Sequence, residues 1–157
     1  MQARIDPMKI APEAYKAMSA LERYIHASGL EPGLVHMVKL RASQLNGCAF
    51  CIDMHWKDAR AAGESEQRLY GLDAWRESPY YTDRERAAFE WTEAVTFLHE
   101  GHVADEVYER VHRLIDDKTL VDLTMAIAAI NAWNRLAISL RTVPGGYQPP
   151  SRERRTD

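Results

Sequence analysis

The most informative stretch of the chain reads Lys39-Leu-Arg-Ala-Ser-Gln-Leu-Asn-Gly-Cys-Ala-Phe-Cys-Ile-Asp-Met-His55. The apolar residues that lead into it keep helical spacing up to Asn46-Gly47, a pair typical of a helix end. Cys48 then begins a second helical stretch that continues to Ala62, where Gly63 is well placed as the C-terminal cap. Both cysteines of the chain are therefore predicted to lie at the start of one helix.

Helical periodicity extends over most of the rest of the chain. The other predicted helices span residues 13–28, 65–74, 83–99, 103–115 and 118–141. Thr82 and Glu85 have the spacing of a capping box, and Asp116 or Asp117 would cap the last helix. Because no alternating strand pattern is present, we predict an all-α fold, a single-domain bundle of about six to seven helices over residues 1–143. Residues 144–157, rich in proline, glycine and charge, are predicted to form an extended polar tail.

The composition of the chain limits the kinds of partner that it can bind and the compartment in which we expect it. The 157 residues carry 20 basic and 23 acidic side chains, a formal charge of −3 that offers no field for nucleic acid or anionic membranes. No apolar run reaches the roughly 18 residues of a membrane span, and the first residues lack a signal-peptide pattern. We therefore expect a cytoplasmic protein that binds neither nucleic acid nor membrane. The last helix is apolar on most sides, which predicts deep burial or a subunit interface.

The cysteines and a histidine form the pattern C-x-x-C-x-x-x-H at Cys48, Cys51 and His55. At about 100° per residue, a helix places all three within roughly 60° of arc. Free N–H groups and the helix dipole favour a thiolate at a helix N-terminus, and an imidazole one turn beyond Cys51 can act as its base. The pattern predicts a reversible dithiol/disulfide cycle that needs no cofactor.

Zinc binding and simple burial are the alternative interpretations of these residues. Two cysteines and His55 are good zinc ligands, and a fourth ligand could come from His36, His99 or His102. On one continuous helix, however, Cys48 and His55 lie about 10.5 Å apart along the axis, so one ion would strain to reach both. Two buried cysteines with an incidental histidine form the other alternative.

The stretch from Lys39 to His55 closely resembles the alkyl hydroperoxidase D-like branch of the carboxymuconolactone decarboxylase family. The resemblance continues through Asp58-Ala-Arg-Ala-Ala-Gly63, Arg68-Leu-Tyr, Ala74-Trp-Arg-Glu-Ser-Pro79 and Ile130-Asn-Ala-Trp-Asn-Arg135. It covers about residues 34–141. The resemblance implies an all-helical fold assembled into trimers or hexamers, and a thiol peroxidase or disulfide reductase activity.

The resemblance also implies roles for the motif residues. Cys51 corresponds to the sulfur that attacks the peroxide, Cys48 to the one that resolves it as a disulfide, and His55 to a member of the proton relay. The helix-terminus argument alone would favour Cys48 as the thiol of lower pKa, so the order of the two cysteines stays open. Related proteins often have a relay glutamate where this chain has His36, which becomes a candidate catalytic residue. An ordinary polar residue at a helix start is the alternative interpretation of His36.

The sequence thus predicts an enzyme that reduces a hydroperoxide and is recycled by a dithiol, protein or small molecule, as a homo-oligomer. A decarboxylase-type relative is one alternative, although that branch typically lacks the cysteine pair. A non-catalytic, zinc-stabilised helical oligomer is the other. Glu90 and Glu93 are interpreted as part of a solvated helix face, with the supply of a carboxylate to the site as the alternative. Asn131, Trp133, Asn134 and Arg135 are interpreted as anchors of the active-site helix or of a neighbouring subunit.

Overall fold

A computed structural model describes residues 2–150 and consists of helices joined by short turns. The α-helices are α1 (Pro7–Ile10), α2 (Pro12–Ala27), α3 (Pro32–Asn46), α4 (Ala49–Ala62), α5 (Glu66–Tyr70), α6 (Asp83–Thr96), α7 (Asp105–His112) and α8 (Asp117–Leu140), with 3₁₀ turns at Gly71–Ala74 and Leu98–Glu100. No strand occurs within residues 2–150, which confirms the predicted all-α class.

The predicted count of six to seven helices was too low, since residues 2–150 contain eight α-helices. The short α1 was missed because a helix of four residues has no periodicity to detect. It is held instead by Asp6, whose side chain accepts from the N–H groups of Met8 and Lys9. Of the predicted tail, residues 144–150 have no regular secondary structure, and residues 151–157 lie outside the described residues.

Helix α3 lies at the centre of the fold, in contact with α4, α6 and α8. Its apolar residues Met37, Val38 and Leu40 are buried with Leu123 and Ile127 of α8. Residues 34–43 are buried on every side of the helix, so its polar side chains also lie inside the protein. Burying a polar group is costly unless a partner satisfies it, and the partners of these side chains define two distinct regions.

Helix α8 is long and apolar enough, by length and composition, to cross a membrane. A core helix of a soluble protein passes the same test. Here Leu123, Ile127 and Ile130 are buried against the other helices, and Asp122 and Asn134 are buried polar residues of the same helix. The contacts of α8 are those of a core helix.

The predicted helix ends near the motif are confirmed. Gly47 ends α3 with a positive φ of 68°, a conformation that glycine adopts without steric cost. The N–H of Cys48 donates to the carbonyl of Ser43 at 3.0 Å, and Cys48 becomes the N-cap of α4. The tight turn between α3 and α4 thus fixes the first cysteine at a helix N-terminus.

The other predicted boundaries are confirmed in part. Thr82 and Glu85 form a complete capping box, and Asp116 caps α8 through the N–H of Thr119. Helix α6 ends at Thr96 rather than at residue 99, and α7 spans only Asp105–His112.

The side of α3 that faces α6 carries a saturated polar cluster around Glu93. The Glu93 carboxylate accepts from Arg41 Nε at 2.9 Å, Trp75 Nε1 at 2.8 Å and Arg76 at 2.6 Å. Arg41 also binds Asp73 at 2.5 Å. Burial raises the pKa of Glu93, but the hydrogen bonds from Trp75, Arg76 and Arg41 outweigh it and leave this pKa below its usual range. The interpretation of Glu93 as part of a solvated face was therefore wrong.

Candidate active site

The two cysteine thiols lie side by side at the start of α4. Cys48 and Cys51 are reduced, 1% and 2% exposed, and their Sγ atoms are 2.9 Å apart. A disulfide bond is about 2.05 Å long, so only a small approach separates this arrangement from a bonded pair. The predicted pairing of these two residues on one helix turn is present in the structure.

The charge of the pair is concentrated on Cys48. The hydrogen bond between the Cys48 and Cys51 sulfurs lowers the pKa of Cys48 to about 7, against the opposing effect of burial. The backbone N–H groups of Cys51 and Phe50, at the helix N-terminus, lower this pKa further. The same hydrogen bond, together with burial, raises the pKa of Cys51. The pair therefore loses its first proton near neutral pH, from Cys48, while Cys51 keeps its proton.

Asn134 of α8 supplies a polar contact to both sulfurs that sequence reasoning had not assigned. Its side-chain hydrogen bonding lowers the pKa of Cys48 and of Cys51. The amide is fixed by two further contacts, since Asn46 donates to its oxygen at 2.9 Å and its nitrogen donates to Ser43 at 3.1 Å. The side chain of Asn134 is therefore fixed on α3, and it also stabilises thiolate charge.

His55 lies one turn after Cys51 and is 6% exposed. Neither of its ring nitrogens has a hydrogen-bond partner within residues 2–150. Its nearest carboxylate atom is Asp58 Oδ2, 3.9 Å from Nδ1. Burial, followed by the positive charge of Lys39, holds the pKa of His55 well below its usual range, so the ring is neutral at physiological pH.

His36 lies beside His55, with ring centroids 6.4 Å apart. The candidate site residues His36 and His55 are thus brought together, although they come from different helices. One donor atom each from His36, His55 and Asp58 lies within 4.8 Å of the others. A carboxylate therefore accompanies His55 in this chain, supplied by Asp58 of the same helix rather than by position 36.

Asp58 and Tyr147 were missed at the sequence level. Tyr147 donates its hydroxyl to Asp58 Oδ1 at 2.6 Å. Asp58 could have been found, because a residue three positions after His55 shares its helix face. Tyr147 had no such signal, since it comes from the irregular segment 144–150 and reaches α4 only in the folded chain.

A cavity of about 800 Å³ opens beside these groups. Cys51, His36, His55 and Asp58 line it, whereas Cys48 does not. Much of the remaining wall is apolar or aromatic, and both ends of the described chain contribute to it: Met8, Tyr15, Val35, Phe50, Met54, Trp133, Leu136 and Tyr147. A pocket of this size and polarity is typical of sites for small organic molecules.

The predicted zinc set is not assembled. Within the described part of the chain, one group of at least three nearby metal-donor side chains occurs, and it contains neither cysteine. His99 and His102 lie outside it as well. The thiols are thus not part of the group of imidazole and carboxylate donors.

Comparison with known proteins places the chain in a family. Residues 12–94 match the Carboxymuconolactone decarboxylase family. The uncharacterized protein YdfG of Bacillus subtilis is 44% identical over 140 residues, 89% of this chain and 95% of that protein.

Solved structures give the same result. A protein of unknown function from Agrobacterium tumefaciens, ATU0492, provisionally assigned to antioxidant defence as an AhpD, is 46% identical with a TM-score of 0.90. The similarity covers 93% of this chain and all of that one. An uncharacterized peroxidase-related protein from Ralstonia eutropha, with an alkylhydroperoxidase AhpD core, has a TM-score of 0.78 over 88% of this chain and 74% of its own. At 18% identity, it shows the shared fold alone. The chain belongs to the AhpD-like branch of the carboxymuconolactone decarboxylase family.

Proposed function

We propose that this protein is a thiol peroxidase that cycles Cys48 and Cys51 between dithiol and disulfide, with His55 as proton relay. One observation carries the proposal: two buried, reduced thiols lie 2.9 Å apart at a helix N-terminus. A thiolate is the nucleophilic form of cysteine, and this arrangement keeps one available near neutral pH.

Cys51 is the sulfur that attacks. It lines the cavity, so a substrate there can reach it, whereas Cys48 lies behind it. The resting proton sits on Cys51 and must leave before attack, and the adjacent Cys48 thiolate is the nearest base to receive it. Transfer of this single proton moves the thiolate from Cys48 to Cys51, which lines the cavity, without changing the charge of the pair.

The first chemical step is displacement at oxygen. The Cys51 sulfur attacks the terminal oxygen of a hydroperoxide ROOH, the O–O bond breaks, and Cys51 becomes a sulfenic acid. The leaving alkoxide takes up one proton and departs as the alcohol ROH. The proton that the dithiol gives up equals the one that the alcohol gains.

His55 is suited to carry that proton. Its neutral ring has one N–H group and one acceptor nitrogen, and neither forms a hydrogen bond with another described residue. The ring lies on the cavity wall near Cys51, with Asp58 close enough to interact through water. Positioned acid–base groups of this kind accelerate proton-transfer steps by about 10²-fold to 10⁴-fold.

The second step closes the disulfide. The Cys48 thiolate attacks the sulfur of the Cys51 sulfenic acid, an S–S bond forms and the S–O bond breaks. The hydroxide that leaves takes up a proton from solvent and becomes water. A dithiol reductant then exchanges with this disulfide, becomes oxidised itself and restores both thiols. Reductant and hydroperoxide are thus the two partners of the cycle.

The cavity favours an organic hydroperoxide over hydrogen peroxide. Apolar and aromatic side chains form much of its wall, and their burial against a hydrocarbon group stabilises binding. A homo-oligomer also belongs to the proposal, since α8 leaves Val121, Met125, Leu136 and Ile138 exposed. Exposed apolar residues along one helix are typical of subunit contacts.

The test is steady-state reduction of hydroperoxides with a small dithiol as electron donor. The wild-type protein should reduce cumene hydroperoxide with a higher kcat/KM than hydrogen peroxide, and Phe50→Ala should narrow that preference. Failure to consume any hydroperoxide while both thiols remain reduced would rule the peroxidase out.

A further inference from the structure

The cluster of His36, His55 and Asp58 has features that a proton relay alone does not require. We propose that it is a binding site for a divalent transition-metal ion such as Zn²⁺ or Co²⁺, separate from the cysteine pair. The site would use one ring nitrogen from each histidine and Asp58 Oδ2.

The three donor atoms can bind one ion after a small side-chain movement that brings them closer together. Their donor atoms lie within 4.8 Å of one another. A tetrahedral zinc ion with bonds of about 2.0–2.2 Å holds its ligand atoms roughly 3.3–3.5 Å apart, so the widest gap must shrink by about 1.5 Å. Rotation of side chains that line a cavity can supply this movement.

His55 is the strongest single indication of a ligand. A buried polar group normally has a hydrogen-bond partner, because leaving one unmade costs about 1–3 kcal/mol. His55 is 6% exposed, and both of its ring nitrogens lack a partner among the described residues. The ring lines the cavity, and an imidazole nitrogen without a hydrogen-bond partner can coordinate a metal ion.

Asp58 is oriented as a metal-binding carboxylate. Tyr147 occupies Oδ1 through its hydroxyl at 2.6 Å, which leaves Oδ2 directed toward His55 at 3.9 Å. Ligating carboxylates are usually held in this way by an outer hydrogen bond.

Charges of both signs surround the three donors. Lys39 lies on the cavity wall with His55, and its ammonium forms an ion pair with Glu22. The donor set itself carries the negative charge of Asp58. Two imidazoles and one carboxylate select transition metals over Mg²⁺ or Ca²⁺, which prefer oxygen ligands alone. Three protein ligands would leave the open face of the ion toward the cavity.

The site is tested by titrating Co²⁺ and Zn²⁺ into the reduced protein and into the Cys48→Ser/Cys51→Ser double variant. Calorimetry should give one ion per chain in both proteins, and the visible spectrum of bound Co²⁺ should lack a sulfur charge-transfer band. Excess Mg²⁺ should not displace the ion. Binding that is lost in the double variant, or that shows the sulfur band, would overturn the proposal.

Matched substitutions locate the ion. Asp58→Asn and His36→Gln should weaken binding by more than the roughly 10-fold to 100-fold that outer-shell changes cost, and Tyr147→Phe should fall within that range. Asp53→Asn is the control, because Asp53 lies on the same helix but its carboxylate is bound by Lys57 and the N–H of Gly145. His26→Gln, on the same cavity wall, is the second control.

Circular dichroism and the denaturation midpoint of each variant show whether it is folded. In folded variants, equal affinity for Asp58→Asn and Asp53→Asn would contradict the proposal. So would the absence of measurable binding in the wild-type protein.

Discussion

Helix α3 carries buried polar groups into two regions that differ in how their hydrogen-bonding capacity is used. On one side, Arg41 meets Glu93, whose carboxylate also accepts from Trp75 and Arg76. On the other side, His36 meets His55, whose ring nitrogens have no hydrogen-bond partner among the described residues, and Asp58 lies 3.9 Å away.

This difference distinguishes buried polar groups that stabilise the fold from buried polar groups that can take part in a reaction or bind a ligand. A satisfied charge cluster fixes the packing of α3 on α6 and has no capacity left for a ligand. A buried side chain whose polar atoms have no hydrogen-bond partner can still bind a proton, a substrate or an ion. Substitutions in the cluster around Glu93 should therefore change the stability of the protein, and substitutions around His55 should change its activity.

The largest expected effect is on Cys51, at the edge of the open region. Cys51→Ser should abolish hydroperoxide turnover, because a serine hydroxyl stays protonated near neutral pH and is not a competent nucleophile. Turnover is measured as hydroperoxide consumed in the presence of excess dithiol. Cys48→Ser is the matched variant: it should still form a sulfenic acid on Cys51 once, which a sulfenate-specific reagent would trap, but no disulfide. An active Cys51→Ser protein would eliminate the assigned attack.

The next effect concerns His55. His55→Ala should slow turnover by roughly 10²-fold to 10⁴-fold, as loss of a positioned acid–base group does. The rate is measured in metal-free protein under single-turnover conditions. His26→Ala, which alters the same cavity wall outside the donor cluster, should change the rate by less than about 10-fold. Equal losses in both variants would mean that His55 has no special role.

A smaller effect, on stability alone, is expected in the saturated cluster. Glu93→Gln removes the charge that pairs with buried Arg41 and should lower the free energy of unfolding by about 1.5–3 kcal/mol. Urea denaturation measures this, and the turnover of the folded fraction should match that of the wild type. A variant of unchanged stability but reduced turnover would reverse the assignment of the two regions.

The same variant gives a pH dependence. The pKa of Glu93 is lower in the folded protein than its usual value, so its stabilising contribution is complete above about pH 4.3 and is lost as pH falls through the folded pKa. The stability difference between wild type and Glu93→Gln should therefore shrink in acid. A difference that grew as pH fell would contradict this sign.

The smallest effect is spectroscopic. The pKa of Cys48 is lowered to about 7 and that of Cys51 is raised, so one thiolate per chain should appear with a midpoint near pH 7. Ultraviolet absorbance of the thiolate, followed against pH in the reduced protein, measures it. Cys48→Ser should remove this step. If the step persists in Cys48→Ser, the low-pKa sulfur is Cys51.

Local sequence signals predicted much of the fold. The Asn46-Gly47 helix end and the Thr82–Glu85 capping box depend on neighbouring residues and were correct. The end of α6 and the extent of α7 were less accurate, because the apolar spacing continues past the residues that are helical. The short α1 depends on a side-chain cap without periodicity.

The site was predictable only where its members share a helix. Cys48, Cys51 and His55 follow from spacing on α4. The contact of Asn134 with the thiols and that of Tyr147 with Asp58 join segments far apart in sequence, and no local pattern encodes them. The partners of Glu93 are of the same kind, which is why a charged helix position was assigned to solvent.

The central claim is that Cys48 and Cys51 act as one redox pair. Its most direct test is intact mass and free-thiol count of the metal-free, reduced protein before and after one equivalent of an organic hydroperoxide, with rapid quenching. We expect both thiols to disappear together, with a mass loss of two hydrogens that a dithiol reverses and that neither single cysteine variant shows. Thiols that stay reduced, or that oxidise singly without forming the bond, would contradict the claim.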